Sequence, residues 1–151
     1  MRVHLTQPVA RPPGPVHDAV ADVDALLARM AGSRLVVVPA PGGDAWTVTL
    51  NLHGIERRGA LHVTERYPGT GYLLEGEIDG LALSGLVRVG PVPENAGPQA
   101  DASMLEVTLA LAARSLRGRM VLASLRLMQD SLHARLAARL AAVAQAMETA
   151  D

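Results

Sequence analysis

At 151 residues and 49% hydrophobic, the chain can bury one sizeable core, and with no cysteine it has no disulfide, thiolate metal ligand or thiol nucleophile. All 14 basic residues are arginine, so Schiff-base and ammonium-base chemistry by lysine is excluded. A net charge of −1 lacks the basic excess of a general nucleic-acid binder, and no run of about 18 uncharged apolar residues is present to span a membrane.

The replacement of lysine and phenylalanine by arginine, alanine, leucine and valine reads as the codon bias of a GC-rich bacterial genome. The first residues lack the charged-then-apolar layout of a secretory signal. The expectation is a cytoplasmic protein forming a single domain over residues 1–151.

Arg2 to Val9 reads as a weak strand, stopped by Arg11-Pro12-Pro13-Gly14-Pro15, because proline withholds donors and fixes φ. One short helix follows. Pro15 suits its first turn, Asp18 and Asp22 lie near its start, and Val16, Val20, Val23, Leu27 and Met30 recur at helical spacing up to Gly32.

From Leu35 to Leu111 the period changes to two. Leu35 to Val38 is a short strand. Trp46, Val48, Leu50 and Leu52 alternate with polar residues, and Ile55, Arg57, Leu61 and Val63 continue the alternation after Gly54. Tyr72, Leu74, Gly76 and Ile78 form another strand, bounded by Pro68-Gly69 and Asp79-Gly80. Leu81 to Val89 and Leu105 to Leu111 form the last two, on either side of a long loop from Gly90 to Ala102. Short turns between successive strands imply an antiparallel meander. Gly59, Gly76 and Gly85 inside the strands mark bends or bulges.

From about Gly118 to Met147 the residues predict one long helix with no proline. Val121, Leu125, Met128, Leu132, Leu136, Leu140, Val143 and Met147 form its buried stripe, and Leu132→Asp is expected to bury an unpaired charge and unfold the protein. Met120, Leu122 and Leu127 add apolar surface on the flanks. Arg126, Arg135 and Arg139 read as a solvated face.

The order of strand, helix, meander and long final helix, with the phrases Trp46 to Leu52, Gly54 to Gly59 and Tyr72 to Gly80, resembles the START-like superfamily. That superfamily includes the pollen-allergen-like, polyketide cyclase and lipid-transport families. The phrases look like its bacterial members, with a weaker likeness to the carbon monoxide dehydrogenase G-subunit family. The resemblance covers nearly the whole chain. It implies an α+β helix-grip fold, in which a curved antiparallel sheet wraps around a long C-terminal helix and leaves a cavity between them. Members of the superfamily usually carry two short helices after the first strand, whereas the residues here read as one.

Candidate chemistry is sparse. His4, His17, His53, His62 and His133 fall on different elements without metal-ligand spacing. There is no Gly-x-Ser-x-Gly elbow and no phosphate-cradling loop. Glu75 and Glu77 alternate outward, so a paired-carboxylate reading is weak. The residues call for no cofactor and no metal, and no catalytic residue is assigned.

Two readings stand for Arg57, which shares a register with Leu61: a group that holds an acidic or carbonyl ligand head, or an arginine whose stem covers apolar surface while its head reaches water. Gln129 either places one polar contact in an apolar pocket or borders the stripe. Trp46 either lines a cavity or packs in the core. Arg117 and Arg119 are ill placed at a helix N-terminus beginning at Ser115 unless an acidic partner or anionic ligand meets them; a start after Gly118 also removes the conflict.

Small residues and glycines on the inward strand faces, with no phenylalanine to fill the volume, point to space among Leu50, Leu61, Leu74, Leu83, Leu109, Leu125, Met128 and Leu132. The first functional expectation is an apolar small molecule in that space, such as a lipid, quinone or polyketide. The alternatives are a cyclase or dehydratase-type enzyme, and an accessory or assembly protein with a residual cavity. A homodimer is left open.

Overall fold

Strands β1 (Arg2–Val9), β2 (Leu35–Pro39), β3 (Ala45–Leu52), β4 (Ile55–Tyr67), β5 (Gly71–Ile78), β6 (Leu81–Pro91) and β7 (Ser103–Ala113) form one sheet in the computed structural model. The structure describes residues 1–52, 54–92 and 101–149. His53 and positions 93–100 of the expected long loop therefore lie outside the described residues, while Gly90 and Pro91 extend β6.

The strand order is β1-β7-β6-β5-β4-β3-β2, antiparallel at every pairing, so β2 through β7 form the expected meander and β1 closes its β7 edge. The turn between β5 and β6 needs two residues with positive φ to match the twist of the flanking strands, and Asp79 (φ 50°) and Gly80 (φ 80°) supply them. The register irregularity lies between Val63 and Glu65, not at a glycine. Gly59 and Gly76 instead mark close backbone approaches. A Cβ on Gly59 would lie 2.2 Å from the Glu77 carbonyl oxygen, and one on Gly76 2.0 Å from that of Ala60.

The N-terminal helical segment is two helices, as the resemblance implied and the residues did not: α1 (Pro13–Val20) and α2 (Val23–Ala31). Asp22 makes the break. Its carboxylate accepts from the Ala25 N–H at 3.3 Å, starting a new helix where its acidic character had read as part of the old one. A 3-10 turn, Gly32–Arg34, leads into β2.

The C-terminal helix also divides, into α3 (Leu116–Leu127) and α4 (Gln129–Thr149). At Met128 (φ −108°, ψ 18°) the N–H turns back to the Leu125 carbonyl at 3.1 Å. One turn earlier Ser124 Oγ donates to the Met120 carbonyl, a back-bond that bends helices. The halves follow different neighbours: α3 packs on β6 and β7, α4 on β1 and α2.

Helix α3 starts at the Ser115 cap, whose Oγ accepts from the Gly118 N–H at 3.0 Å, so the later start expected from Gly118 is not adopted. Arg117 meets its acidic partner there, Asp79.

The main core joins Val9, Val16, Val20, Tyr72 and Leu105 to Leu140, Val143 and Met147, and a smaller one joins Leu81, Leu111 and Leu122. The buried stripe is thus confined to the end of α4. Val121, Leu125, Leu132 and Leu136 are half-buried, and Met128 is 42% exposed because it sits at the break. Among the described residues no helix is long and apolar enough to cross a membrane.

Candidate ligand cavity

Between the sheet and the helices lies a cavity of about 870 Å³. That is within the range of roughly 300–1,000 Å³ typical of small-molecule sites and far more than a packing defect. Its walls follow from the period-two register: β4 contributes Leu61, β5 Leu74, β6 Leu83 and β7 Leu109, all on the face the helices cover, and Leu50 extends the wall along β3. Leu125 of α3 and Leu132 of α4 close it from above.

Three candidate residues stand elsewhere. Trp46 is 7% exposed within the main core and does not line the cavity, having the register of Val48 but lying toward the opposite end of β3 from Leu50. Met128 is turned to solvent by the helix break. Gln129 is exposed, its Nε2 3.5 Å from the Arg2 carbonyl of β1, so it borders the helix without entering the cavity.

Arg57 does line the cavity. Opposite Leu50 in the β3–β4 register, it donates from Nη1 to Asp79 Oδ2, while Arg117 Nη1 donates to Asp79 Oδ1 at 3.1 Å. One carboxylate thus joins β4 and α3 at the β5–β6 turn. The Arg117 hydrogen bond, with that of Arg57, holds the Asp79 carboxyl below its ordinary value against partial desolvation. The head of Arg57 therefore reaches a carboxylate, and its buried Nε has no hydrogen-bond partner in the described protein.

Several lining residues were not singled out in the sequence. Val23, Leu26, Leu27 and Met30 of α2 form a wall, although their spacing reads equally well as core. Tyr72 contributes its ring, while its hydroxyl donates to the Val20 carbonyl at 2.7 Å and burial pushes its pKa well above the usual phenol value. Gly85 leaves open volume: a Cβ there would meet nothing nearer than the Leu74 carbonyl oxygen at 3.9 Å.

The exposed members of the lining all lie in one place. They are Ser33 and Arg34 of the 3-10 turn and Arg135, Ala138, Arg139 and Ala142 of α4, so the mouth opens between that turn and α4. Arg135 and Arg139, read as a solvated face, are both solvated and part of this rim. Their spacing of one helical turn, beside Leu132 and Leu136, is the signal that places them there.

Among the described residues the lining holds no histidine, aspartate or glutamate, and no three such side chains anywhere converge as metal ligands. The walls offer apolar contact and guanidinium groups, with the Tyr72 and Ser33 side chains among the lining. Outside the cavity Glu75 faces away from it, accepting from Thr64 Oγ1 at 2.9 Å, as its register implied.

No protein-family model matches the chain, and no curated protein matches it either. Solved structures do. A protein from Thermus thermophilus is similar at a TM-score of 0.67 and 16% identity, with 97% of this chain and 97% of that one covered. The Zhui aromatase/cyclase from Streptomyces is similar at 0.66 and 15% identity, covering 96% of this chain and 93% of its own. A START superfamily protein from Mycobacterium smegmatis gives 0.64 and 15%, covering 97% and 98%. The chain has the START-like helix-grip fold.

Proposed function

We propose that the protein binds a mainly apolar small molecule in the cavity between the sheet and the C-terminal helices. The observation that carries this reading is a cavity of about 870 Å³ walled by leucine and valine from every strand of the sheet and closed by α2, α3 and α4. Apolar walls of that extent left facing water forgo burial that an apolar occupant would supply. Aliphatic walls favour an apolar occupant.

Candidate ligand contacts are Leu50, Leu61, Leu74, Leu83, Leu109, Leu125 and Leu132, with Arg57 as a polar contact at the wall. A cyclase-type reading takes support from the Zhui aromatase/cyclase likeness. It is weakened by a lining in which no described carboxylate or imidazole is placed for acid–base work. A partner-binding reading takes support from α3, where Leu116, Met120 and Leu127 are 75%, 67% and 90% exposed.

The test is uptake of the neutral dye N-phenyl-1-naphthylamine, followed by its fluorescence. Wild type is expected to bind it. Gly85→Leu is expected to fold, because the added side chain enters open volume and a strand glycine is replaced, yet to exclude the dye. Leu125→Trp is expected to do the same from the helix side. Wild type that takes up no dye, or folded plugged variants that bind it unchanged, would sink the reading and leave the α3 surface as the better candidate.

A further inference from the structure

We propose that the mouth of the cavity receives an anionic head, so that the natural guest is an amphiphile with an apolar tail and a carboxylate or phosphate end. The inference rests on the cavity being a binding site, and it names the class of molecule.

Three arginines frame the mouth: Arg34 on the 3-10 turn and Arg135 and Arg139 on α4. All three are exposed, and none has a carboxylate within 4.0 Å among the described residues. The composition does not force this. The chain has 15 acidic residues against 14 arginines, yet no described acidic side chain lines the cavity. Cations gathered at one opening repel one another, and an anion placed among them relieves that repulsion.

The rim is also partly pre-set. The Arg139 guanidinium lies over Gly32, where a Cβ would come within 2.6 Å of Nη2, and its Nη1 donates to the Arg29 carbonyl at 3.3 Å. This spans the seam between α2 and α4 and holds one planar donor group at the opening. Arg34 and Arg135, both exposed members of the lining, make no side-chain hydrogen bond among the described residues, so their donors are not committed to other side chains or carbonyls there. Guanidinium forks match the oxygen pairs of carboxylates and phosphates.

Arg57 is not part of this group. Its Nη1 is already engaged by Asp79, the carboxylate it shares with Arg117 at the β5–β6 turn. The division gives the cavity a polarity along its length: a charged rim at the α4 side and an ion-paired wall at the α3 side.

Displacement of bound N-phenyl-1-naphthylamine by dodecanoate, dodecyl phosphate and dodecan-1-ol, each below its aggregation limit, tests the inference. These share one tail and differ in the head. At least one acid is expected to displace the dye at about one-tenth the concentration of the alcohol, the scale of one hydrogen bond to a charged group; the stronger of the two identifies the head. The double variant Arg34→Gln/Arg135→Gln is expected to bring that acid close to the alcohol while leaving the alcohol unchanged, which also shows that the cavity is intact. Raising the salt concentration is expected to narrow the acid–alcohol gap in wild type. Equal displacement by acids and alcohol overturns the anionic-head inference, and an acid preference that survives the double variant overturns its placement at this mouth; either leaves the cavity reading standing. Failure of wild type to take up the dye overturns both.

Discussion

The hydroxyl of Tyr72 donates a 2.7 Å hydrogen bond to the carbonyl of Val20, joining the second residue of β5 to the last residue of α1. Both partners are buried. The bond satisfies a carbonyl that the ending of α1 leaves without a helical partner, and it stands at the point where the chain turns into α2.

Tyr72→Phe is therefore expected to lower stability by about 1–3 kcal/mol, the cost of leaving a buried acceptor unsatisfied. The pH dependence has a definite sign. Burial raises the folded-state pKa of Tyr72 above the unfolded value of about 10. Its contribution is fully present below that unfolded value and is lost as pH rises through the folded one. Denaturant titrations between pH 8 and 11 should show wild type weakening more steeply than Tyr72→Phe; parallel curves would contradict the assignment.

Gly118→Ala should destabilise even though alanine is the better helix former. A Cβ there would stand 2.0 Å from the Gly80 carbonyl oxygen, and that oxygen already accepts the Arg114 N–H at 2.8 Å. The obstacle is the backbone of a tight turn, so a loss of about 1–3 kcal/mol is expected, against a propensity gain of about 1 kcal/mol. Gly14→Ala, in α1 with nothing within 4 Å, is the control and should be neutral or mildly stabilising in thermal unfolding.

Asp79→Asn should destabilise at neutral pH and matter less in acid. The Arg117 and Arg57 hydrogen bonds depress the folded-state pKa, so the stability this carboxylate contributes is present above the unfolded value of about 3.9. It is lost as pH falls through the still lower folded value. The stability difference between wild type and variant, measured from pH 7 to pH 2, should shrink below about pH 4; a constant difference would show that the charge is not what matters.

Leu140→Ala is expected to cost about 2–5 kcal/mol, since the side chain is 1% exposed in the main core. Leu132→Ala should cost less than half of that. Leu132 already faces open volume, so it has fewer packing contacts to lose. Equilibrium unfolding of the two variants decides the point, and the reverse order would return Leu132 to the buried stripe. On the same grounds, Leu132→Asp should be milder than a fully buried charge would be.

The sheet was legible because alternation in β3 to β7 leaves one inward face, and a register slip of one residue would expose all of it. Breaks inside helices were not. Asp22 and Ser124 both break or bend by side-chain bonds to backbone, and such residues fit a helix interior and a cap equally well until the partner is known.

The cavity walls on β3 to β7 were readable for the same reason as the sheet. Its opening was not, because which half-exposed helix face borders a void depends on where α2 and the 3-10 turn dock. Arg34 and Arg139 come together from opposite ends of the chain, and no local spacing announces that. Whether Trp46 lines the void or packs, whether Gln129 enters it or borders the stripe, and that Met128 turns outward all depend on how far along each element the void extends, which no local spacing gives.

The walls of the cavity are built mostly from branched aliphatic side chains, and among the described lining residues the ring of Tyr72 is the one aromatic surface. Trp46 lies in the core, Tyr67 at the surface, and the chain has no phenylalanine. Such an enclosure has almost no flat, quadrupolar face against which a planar guest could stack. On the proposed binding reading, guests would be ranked by length, girth and flexibility rather than by stacking, so a saturated chain would not be at a disadvantage to a fused ring system of the same volume.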